Sequence, residues 1–158
     1  MKNIRIVLLG EAVLFALLFC CCIFFSGGGL SSILFFIDFP SLVLILLFLI
    51  PGLAIMGEWK DFIRAFSVGI RKYSLLELKN IIGAVGAAQK LTVYGALFGV
   101  ILSAIMIIAN LNDLDKLGPN LAVCFLTGLY AIVVEFFLLP LKLNAERKMN
   151  EEMDFSVE

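Results

Sequence analysis

Four long apolar stretches constrain this chain more than any other feature of its sequence. They cover residues 6–25, 40–57, 91–108 and 117–141. A helix needs roughly 20 apolar residues to cross a bilayer, and each stretch is that long or nearly so. The chain of 158 residues is 62% apolar, against about 45–50% in soluble proteins. We therefore predict an all-α, four-span transmembrane helical protein that forms a single membrane domain in the lipid bilayer.

A signal peptide is the other interpretation of the first stretch, because Lys2 and Arg5 precede it. The stretch is too long for a typical signal-peptide core. It also ends in the bulky residues 23–25 rather than in a small-residue cleavage site. We predict that it is retained as a span.

The basic residues predict how the spans are oriented. Lys2 and Arg5 precede the first span, six basic residues lie in segment 58–90, and three follow the last span. Only Lys116 lies between the third and fourth spans. Basic residues favour the cytoplasmic side. Both termini and segment 58–90 are therefore predicted to be cytoplasmic. Residues 142–158 form a charged cytoplasmic tail, which we predict to be a helix extension that frays.

Segment 58–90 is predicted to be helical and to hold no folded domain. Its first half places Trp59, Phe62, Ile63 and Phe66 on one helical face, which is typical of an amphipathic helix at a membrane surface. Its second half opens with a capping-box pattern, Ser74 to Glu77, and should continue as a helix into the third span.

The sequence offers no chemistry for catalysis. It has no histidine, and all four cysteines lie in predicted spans with spacing that suits no zinc site. No phosphate loop or nucleophile motif is present. We expect no enzyme activity, no cofactor, no metal site and no nucleic-acid partner.

Small and weakly polar residues form a stripe on one face of each of the last two spans. The third span carries Thr92, Ala96, Gly99 and Ser103 at helical spacing, and the fourth carries Cys124, Gly128, Ala131 and Glu135, with Thr127 beside Gly128. Two interpretations stay open. The stripes are close-packing faces between helices, or they line a central space that several copies of the chain share. The ion-path or pore-lining candidates are Thr92, Gly99, Ser103, Thr127, Gly128, Ala131 and Glu135.

Three acidic residues in or next to the spans need an explanation, because a carboxylate in hydrocarbon is costly. Glu135 lies in the inner third of the fourth span, where it faces either the lumen or a contact between subunits. A structural alternative is a hydrogen bond to a neighbouring helix, through Tyr130 or Thr127. Glu11 is a secondary candidate that Arg5 could stabilise. Asp38 lies at the predicted outer mouth, most simply as a cap on the second span.

Three features together resemble the MotA/TolQ/ExbB family of proton-channel subunits, and its MotA branch most closely. The first is the stretch GGGLSSILFFIDFPSLVLIL, with its glycines, short spacer and Asp-x-Pro-Ser start of the second span. The second is the region of the last two spans. Its matching positions are Asn110-Leu111, Leu117-Gly118-Pro119, Ala122-Val123, Tyr130 and Leu139-Pro140. The third is the topology. The resemblance covers roughly residues 24–57 and 90–145.

This resemblance implies a ring-shaped homopentamer in the bacterial cytoplasmic (inner) membrane. The pentamer would surround single-span partner helices of the MotB, ExbD or TolR kind, each with an intramembrane aspartate. Inward flow of protons or sodium would drive rotation of the ring. One alternative is a non-conducting membrane scaffold of the same fold that holds a partner helix. Another is a small four-span transporter of organic cations that uses Glu11.

The chain departs from the family pattern at two places. Val100 stands where the third span commonly has threonine, and Ser103 follows one turn later. Thr127 lies one position before the expected hydroxyl, where this chain has Gly128. Segment 58–90 also lacks the large insertion with which flagellar MotA proteins push a rotor, so we expect a compact relative without that role.

Overall fold

The computed structural model describes residues 4–25 and 36–157, and the glycine run at 27–29 lies outside them. The described residues form five helices: α1 (Ile4–Phe25), α2 (Phe39–Ile55), α3 (Trp59–Ala65), α4 (Leu75–Ala109) and α5 (Leu114–Val157). These ranges hold no β-strand beyond a single isolated bridge between Val68 and Arg71. The all-α prediction is confirmed.

Three of the helices, α1, α4 and α5, are long and apolar enough to cross a membrane, and α2 taken together with α3 would be a fourth span. α2 alone has 17 residues, somewhat fewer than the roughly 20 that a span needs. The chain bends by 112° between α2 and α3. Gly57 lies at this bend with a φ of 77°, which glycine adopts without strain. The described residues therefore contain three helices, or four if α2 and α3 form one bent span, that could cross a membrane, which supports a membrane protein.

α2 begins at the side-chain cap that its sequence predicts. The Asp38 carboxylate accepts a hydrogen bond from the Ser41 backbone N–H at 3.0 Å. Pro40 lies in the first turn, where its missing N–H leaves no helical hydrogen bond unmade. The predicted capping role of Asp38 is therefore confirmed.

α4 begins at the predicted capping box and continues into the third span. Ser74 accepts a hydrogen bond from the Glu77 N–H at 3.3 Å, and the Glu77 carboxylate accepts one from the Ser74 N–H at 3.0 Å. The Ser74 backbone N–H and the Ser74 hydroxyl both donate to the Glu77 carboxylate, and these two hydrogen bonds hold the pKa of Glu77 below its ordinary value. The helix has 35 residues, which is about 50 Å at 1.5 Å per residue. It therefore extends beyond the apolar core of a bilayer, roughly 30 Å thick.

α5 is the longest helix, with 44 residues from Leu114 to Val157. It continues past the apolar stretch through the charged tail, so the predicted helical extension is confirmed. The helix is continuous to Val157, and its fraying stays a prediction. Pro140 lies inside the helix and cannot donate the hydrogen bond that a helical residue normally gives to the carbonyl four positions earlier.

The predicted amphipathic helix after the second span is shorter than its sequence pattern suggests. α3 ends at Ala65, and Phe66 therefore lies at its C-cap rather than on a continued helical face. The chain then turns back through Gly69, whose φ is 100°. Val68 is completely buried, because this turn packs against the long helices. Tertiary packing here replaces the continuous helix that periodicity predicts.

α4 and α5 run antiparallel through the centre of the protein, connected by the turn 110–113. α2 lies against both of them, and α1 lies against α5. The larger apolar core is formed where α3 and the extended parts of α4 and α5 meet, and it includes Leu53, Val68, Leu78, Ile81, Val85, Leu141 and Ala145. A smaller core lies within the spans and contains Ile45, Ala96 and Ala131. The protein is thus packed most tightly at its α3 end.

Candidate functional site

Ser41 of α2 and Thr127 of α5 form a hydrogen bond inside the bundle. Their hydroxyl oxygens are 2.7 Å apart, and both residues are buried. Thr127 also donates its hydroxyl proton to the Val123 carbonyl at 2.7 Å. A hydroxyl carries only one proton, so Ser41 must be the donor to Thr127. The Thr127 hydroxyl is therefore fully engaged within one copy of the chain.

Ser103 of α4 lies at the same place. It lines a cavity of about 180 Å³ together with Ser41, Thr127 and Gly99. Ser103 is 7% exposed and is buried like the other two hydroxyl residues. We call Ser41, Ser103 and Thr127 the hydroxyl cluster. It brings together polar side chains from three different helices among otherwise apolar residues.

Gly99 allows the helices to approach closely enough to form the hydroxyl cluster. A Cβ atom at this position would lie 2.8 Å from Cγ2 of Thr127 and 2.5 Å from Cδ2 of Leu44. Both distances are shorter than ordinary van der Waals contact. The absence of a side chain at Gly99 is what lets Thr127 and Leu44 fill this space.

The structure separates the members of the two predicted stripes. On α4, Thr92, Gly99 and Ser103 are all buried against the neighbouring helices. On α5, Thr127 and Ala131 are buried, whereas a Cβ at Gly128 would meet no atom within 4 Å. Within one copy, the buried positions act as close-packing faces. Their predicted role in lining a shared lumen stays a prediction.

Thr92 makes a purely local hydrogen bond. Its hydroxyl donates to the Ala88 carbonyl, one turn earlier in α4, at 2.9 Å, and the residue is completely buried. A threonine that bonds its own helix in this way has no proton left to donate elsewhere.

Tyr130 fixes the start of α2 to the middle of α5. Its hydroxyl donates to the Phe36 carbonyl at 2.7 Å and accepts from the Asp38 backbone N–H at 2.7 Å. The sequence analysis named Tyr130 as a position of family resemblance and as a possible partner of Glu135, and neither interpretation predicted this contact with the segment before α2. Its side chain reaches the segment before α2 because side chains of a helix lean toward the helix N-terminus.

Asp38 lies close to the hydroxyl cluster. It precedes Ser41 by three residues, and its carboxylate accepts a hydrogen bond from the Ser41 N–H. Ser41 in turn lines the cavity that Gly99 and Ser103 of α4 share. The residue predicted for the outer mouth therefore caps α2 about one turn from the hydroxyl cluster, and its place at an outer mouth stays a prediction.

Glu135 lies in a second cavity, between α4 and α5. Its Oε1 atom is buried and has no hydrogen-bond partner among the described residues. The cavity has a volume of about 400 Å³, and its lining is otherwise apolar except for Gln89. Gln89 lines this cavity from the facing helix α4. Glu135 is therefore set apart from the hydroxyl cluster.

Neither hydroxyl suggested as a partner for Glu135 is available to it. Tyr130 bonds the start of α2, and Thr127 bonds Val123 and Ser41. The polar residue that sequence reasoning missed is Gln89, which lines the same cavity as Glu135. The only feature of the sequence that pointed to Gln89 was its position just outside the predicted third span at 91–108. The long helix α4 brings it opposite Glu135.

Glu11 lies at a third place, between α1 and the far part of α5. It lines a cavity with Arg147 and Asn144, well away from the hydroxyl cluster. The Arg5 side chain that was expected to stabilise it lies outside what the structure describes. Across residues 4–25 and 36–157, no three acidic, cysteine or histidine side chains are close enough to hold a metal ion.

No family model, no curated protein and no solved structure matches this chain. The family resemblance that its motifs carry therefore stays a prediction.

Proposed function

We propose that this chain is the membrane subunit of an ion-driven motor or channel complex resembling the MotA/TolQ/ExbB proteins. In this proposal five copies form a ring around single-span partner helices, and protons or sodium ions flow past the partner's aspartate. The observation that carries the proposal is the hydroxyl cluster. Ser41, Ser103 and Thr127 place three hydroxyl groups from three helices in the apolar region of the bundle, and the family that the chain resembles usually carries hydroxyls on its third and fourth spans that face the partner's aspartate.

The outer surface of α4 supports assembly in the membrane. Val93, Leu97, Ile101 and Ile105 follow one another at intervals of four residues and are all at least two-fifths exposed. Such a face suits contact with lipid or with a second copy of the chain, because both are apolar. A ring needs two such faces on each subunit.

Glu135 has a specific role in this proposal. In a ring, five copies of it would form a circle of carboxylates at the lumen or at the contacts between subunits, and such circles attract cations. The partnerless Oε1 atom and its apolar cavity support this, because one copy of the chain leaves the carboxylate poorly satisfied.

Ion flux through the reconstituted complex tests the role of Glu135. Wild-type protein and the variant Glu135→Gln would be placed in liposomes with the partner subunit, and proton or sodium flux measured with an internal dye. We expect flux to fall in Glu135→Gln. Glu146→Gln removes a carboxylate from α5 outside the apolar stretch and should leave flux unchanged. Equal flux in Glu135→Gln and wild type would contradict the role.

A non-conducting scaffold of the same fold is the second candidate. The observation in its favour is that Thr127 and Thr92 both donate their protons to their own helix. They are therefore poor groups for relaying an ion. Flux indistinguishable from empty liposomes, from a complex that still holds its partner helix, would favour the scaffold over the channel.

A further inference from the structure

A cavity of about 360 Å³ lies between α1 and the part of α5 that leaves the apolar region. Its lining divides evenly into two kinds of side chain. Four are apolar, namely Ile4, Val7, Pro140 and Leu143, and four are polar or charged, namely Glu11, Asn144, Arg147 and Glu151. The volume lies in the range of small-molecule binding sites. This cavity has no part in the proposed ion path.

Glu11 and Arg147 carry opposite charges into the cavity but do not meet. No ion pair or hydrogen bond joins them in the described part of the chain. The Oε2 atom of Glu11 is buried and has no hydrogen-bond partner among the described residues. Side chains lean toward the N-terminus of their helix. Because α1 and α5 are antiparallel here, the two side chains lean toward each other from opposite ends of the cavity.

The cavity lies at the boundary between apolar and polar chain. Leu141 ends the apolar stretch of α5, and Arg147 and Glu151 follow it by roughly two and three turns. If α5 crosses a membrane, the segment that follows its apolar stretch lies at the level of the lipid headgroups. A ligand that reaches this level from the bilayer brings acyl chains, for which the four apolar lining residues are suited.

We propose that this cavity binds a phospholipid whose headgroup carries both a phosphate and a primary ammonium group, as phosphatidylethanolamine does. Arg147 would hold the phosphate, because a guanidinium matches its oxygens with two parallel hydrogen bonds. Glu11 would accept hydrogen bonds from the ammonium and so satisfy its buried oxygen.

A purely anionic headgroup fits this cavity less well. Among the described lining residues, Glu11 and Glu151 supply two carboxylates and Arg147 one guanidinium, although Glu151 also pairs with Lys148 at 3.4 Å. A headgroup without an ammonium would leave Glu11 unpaired and would be repelled by it. A quaternary ammonium would offer Glu11 no N–H donor.

Lipid retention in native mass spectrometry tests the proposal. The purified protein would be equilibrated with an equimolar mixture of phosphatidylethanolamine, phosphatidylglycerol and phosphatidylcholine, and the bound lipids counted. We expect about tenfold preference for phosphatidylethanolamine, the effect of one charge-assisted hydrogen bond. Glu11→Gln and Arg147→Gln should each lose most of that preference.

Matched controls separate the cavity from general charge effects. Glu146→Gln and Arg71→Gln remove the same charges outside the cavity and should retain the wild-type preference. Arg147→Lys keeps the positive charge and should recover part of the binding if Arg147→Gln folds poorly.

Three results would overturn the proposal: equal retention of the three lipids by wild type, an unchanged preference in Glu11→Gln, or displacement of the lipid by an equal concentration of free phosphorylethanolamine. The last would mean that the cavity recognises a soluble molecule. None of them bears on the ring or on ion flow.

Discussion

Replacing Gly99 by alanine tests the close approach that forms the hydroxyl cluster. The new methyl group would lie 2.8 Å from Thr127 Cγ2 and 2.5 Å from Leu44 Cδ2. Leu44 can rotate away at low cost because only the end of its side chain is touched. Thr127 cannot, because its hydroxyl is bonded to both Val123 and Ser41. Gly99→Ala therefore either strains this contact or breaks the hydrogen bonds of Thr127.

Gly86→Ala is the matched control for this change. Gly86 lies on the same helix, and a Cβ there would meet no atom within 4 Å. Both substitutions gain the same helix propensity, about 1 kcal/mol, so the difference between them isolates the crowding at Gly99. Overpacking a buried site costs about 1–3 kcal/mol. We expect Gly99→Ala to be less stable than Gly86→Ala by that amount.

The stabilities can be compared by titrating the protein from mild detergent into a denaturing one and following helix content by circular dichroism. The fluorescence of Trp59, which is the only tryptophan, provides a second probe of the same transition. Coincident transitions would justify a two-state treatment. If the two variants agree within about 0.5 kcal/mol, which is the usual additivity error, the packing around Gly99 is not as described.

Two further predictions concern hydrogen bonds. A double-mutant cycle with Ser41→Ala and Thr127→Val should give a coupling of about 0.6 kcal/mol and at most about 1.7 kcal/mol, the average and the maximum for such bonds within membranes, when measured by the same titration. A coupling near zero would mean that the two hydroxyls are not bonded. The pKa of the Glu77 carboxyl is lower in the folded than in the unfolded protein because Ser74 donates hydrogen bonds to it. The ionised carboxylate therefore stabilises the fold above the unfolded-state pKa, and this stabilisation is lost as the pH falls through the folded-state pKa. The stability difference between wild type and Glu77→Gln, measured by thermal circular dichroism, should therefore shrink on acidification below about pH 4; a constant difference would contradict this reasoning.

The sequence predicted those parts of the fold that depend on local chemistry. The cap at Asp38, the capping box at Ser74 and the continuous helix that follows it each rest on a few neighbouring residues. The small-residue stripe on α4 was visible because helical spacing alone decides which residues share a face. The 3.6-residue period could not tell whether that face meets another helix of the same copy or a shared lumen.

The parts that the sequence did not reveal depend on how the helices meet. Gln89 opposes Glu135 only because α4 and α5 are antiparallel with a particular register. Thr127 rather than its neighbour Gly128 faces α2, and this depends on a rotation of less than one third of a turn. Local periodicity is also overridden after Ala65, where burial of Val68 ends α3 early.

The number of subunits in the complex tests the central claim most directly. Native mass spectrometry of the protein extracted in mild detergent would count them. The proposed function predicts five copies of this chain, with a smaller single-span protein bound in the same particle. A monomer or dimer that keeps its helical fold would contradict the ring, and Glu135 and the hydroxyl cluster would then be features of one helical bundle.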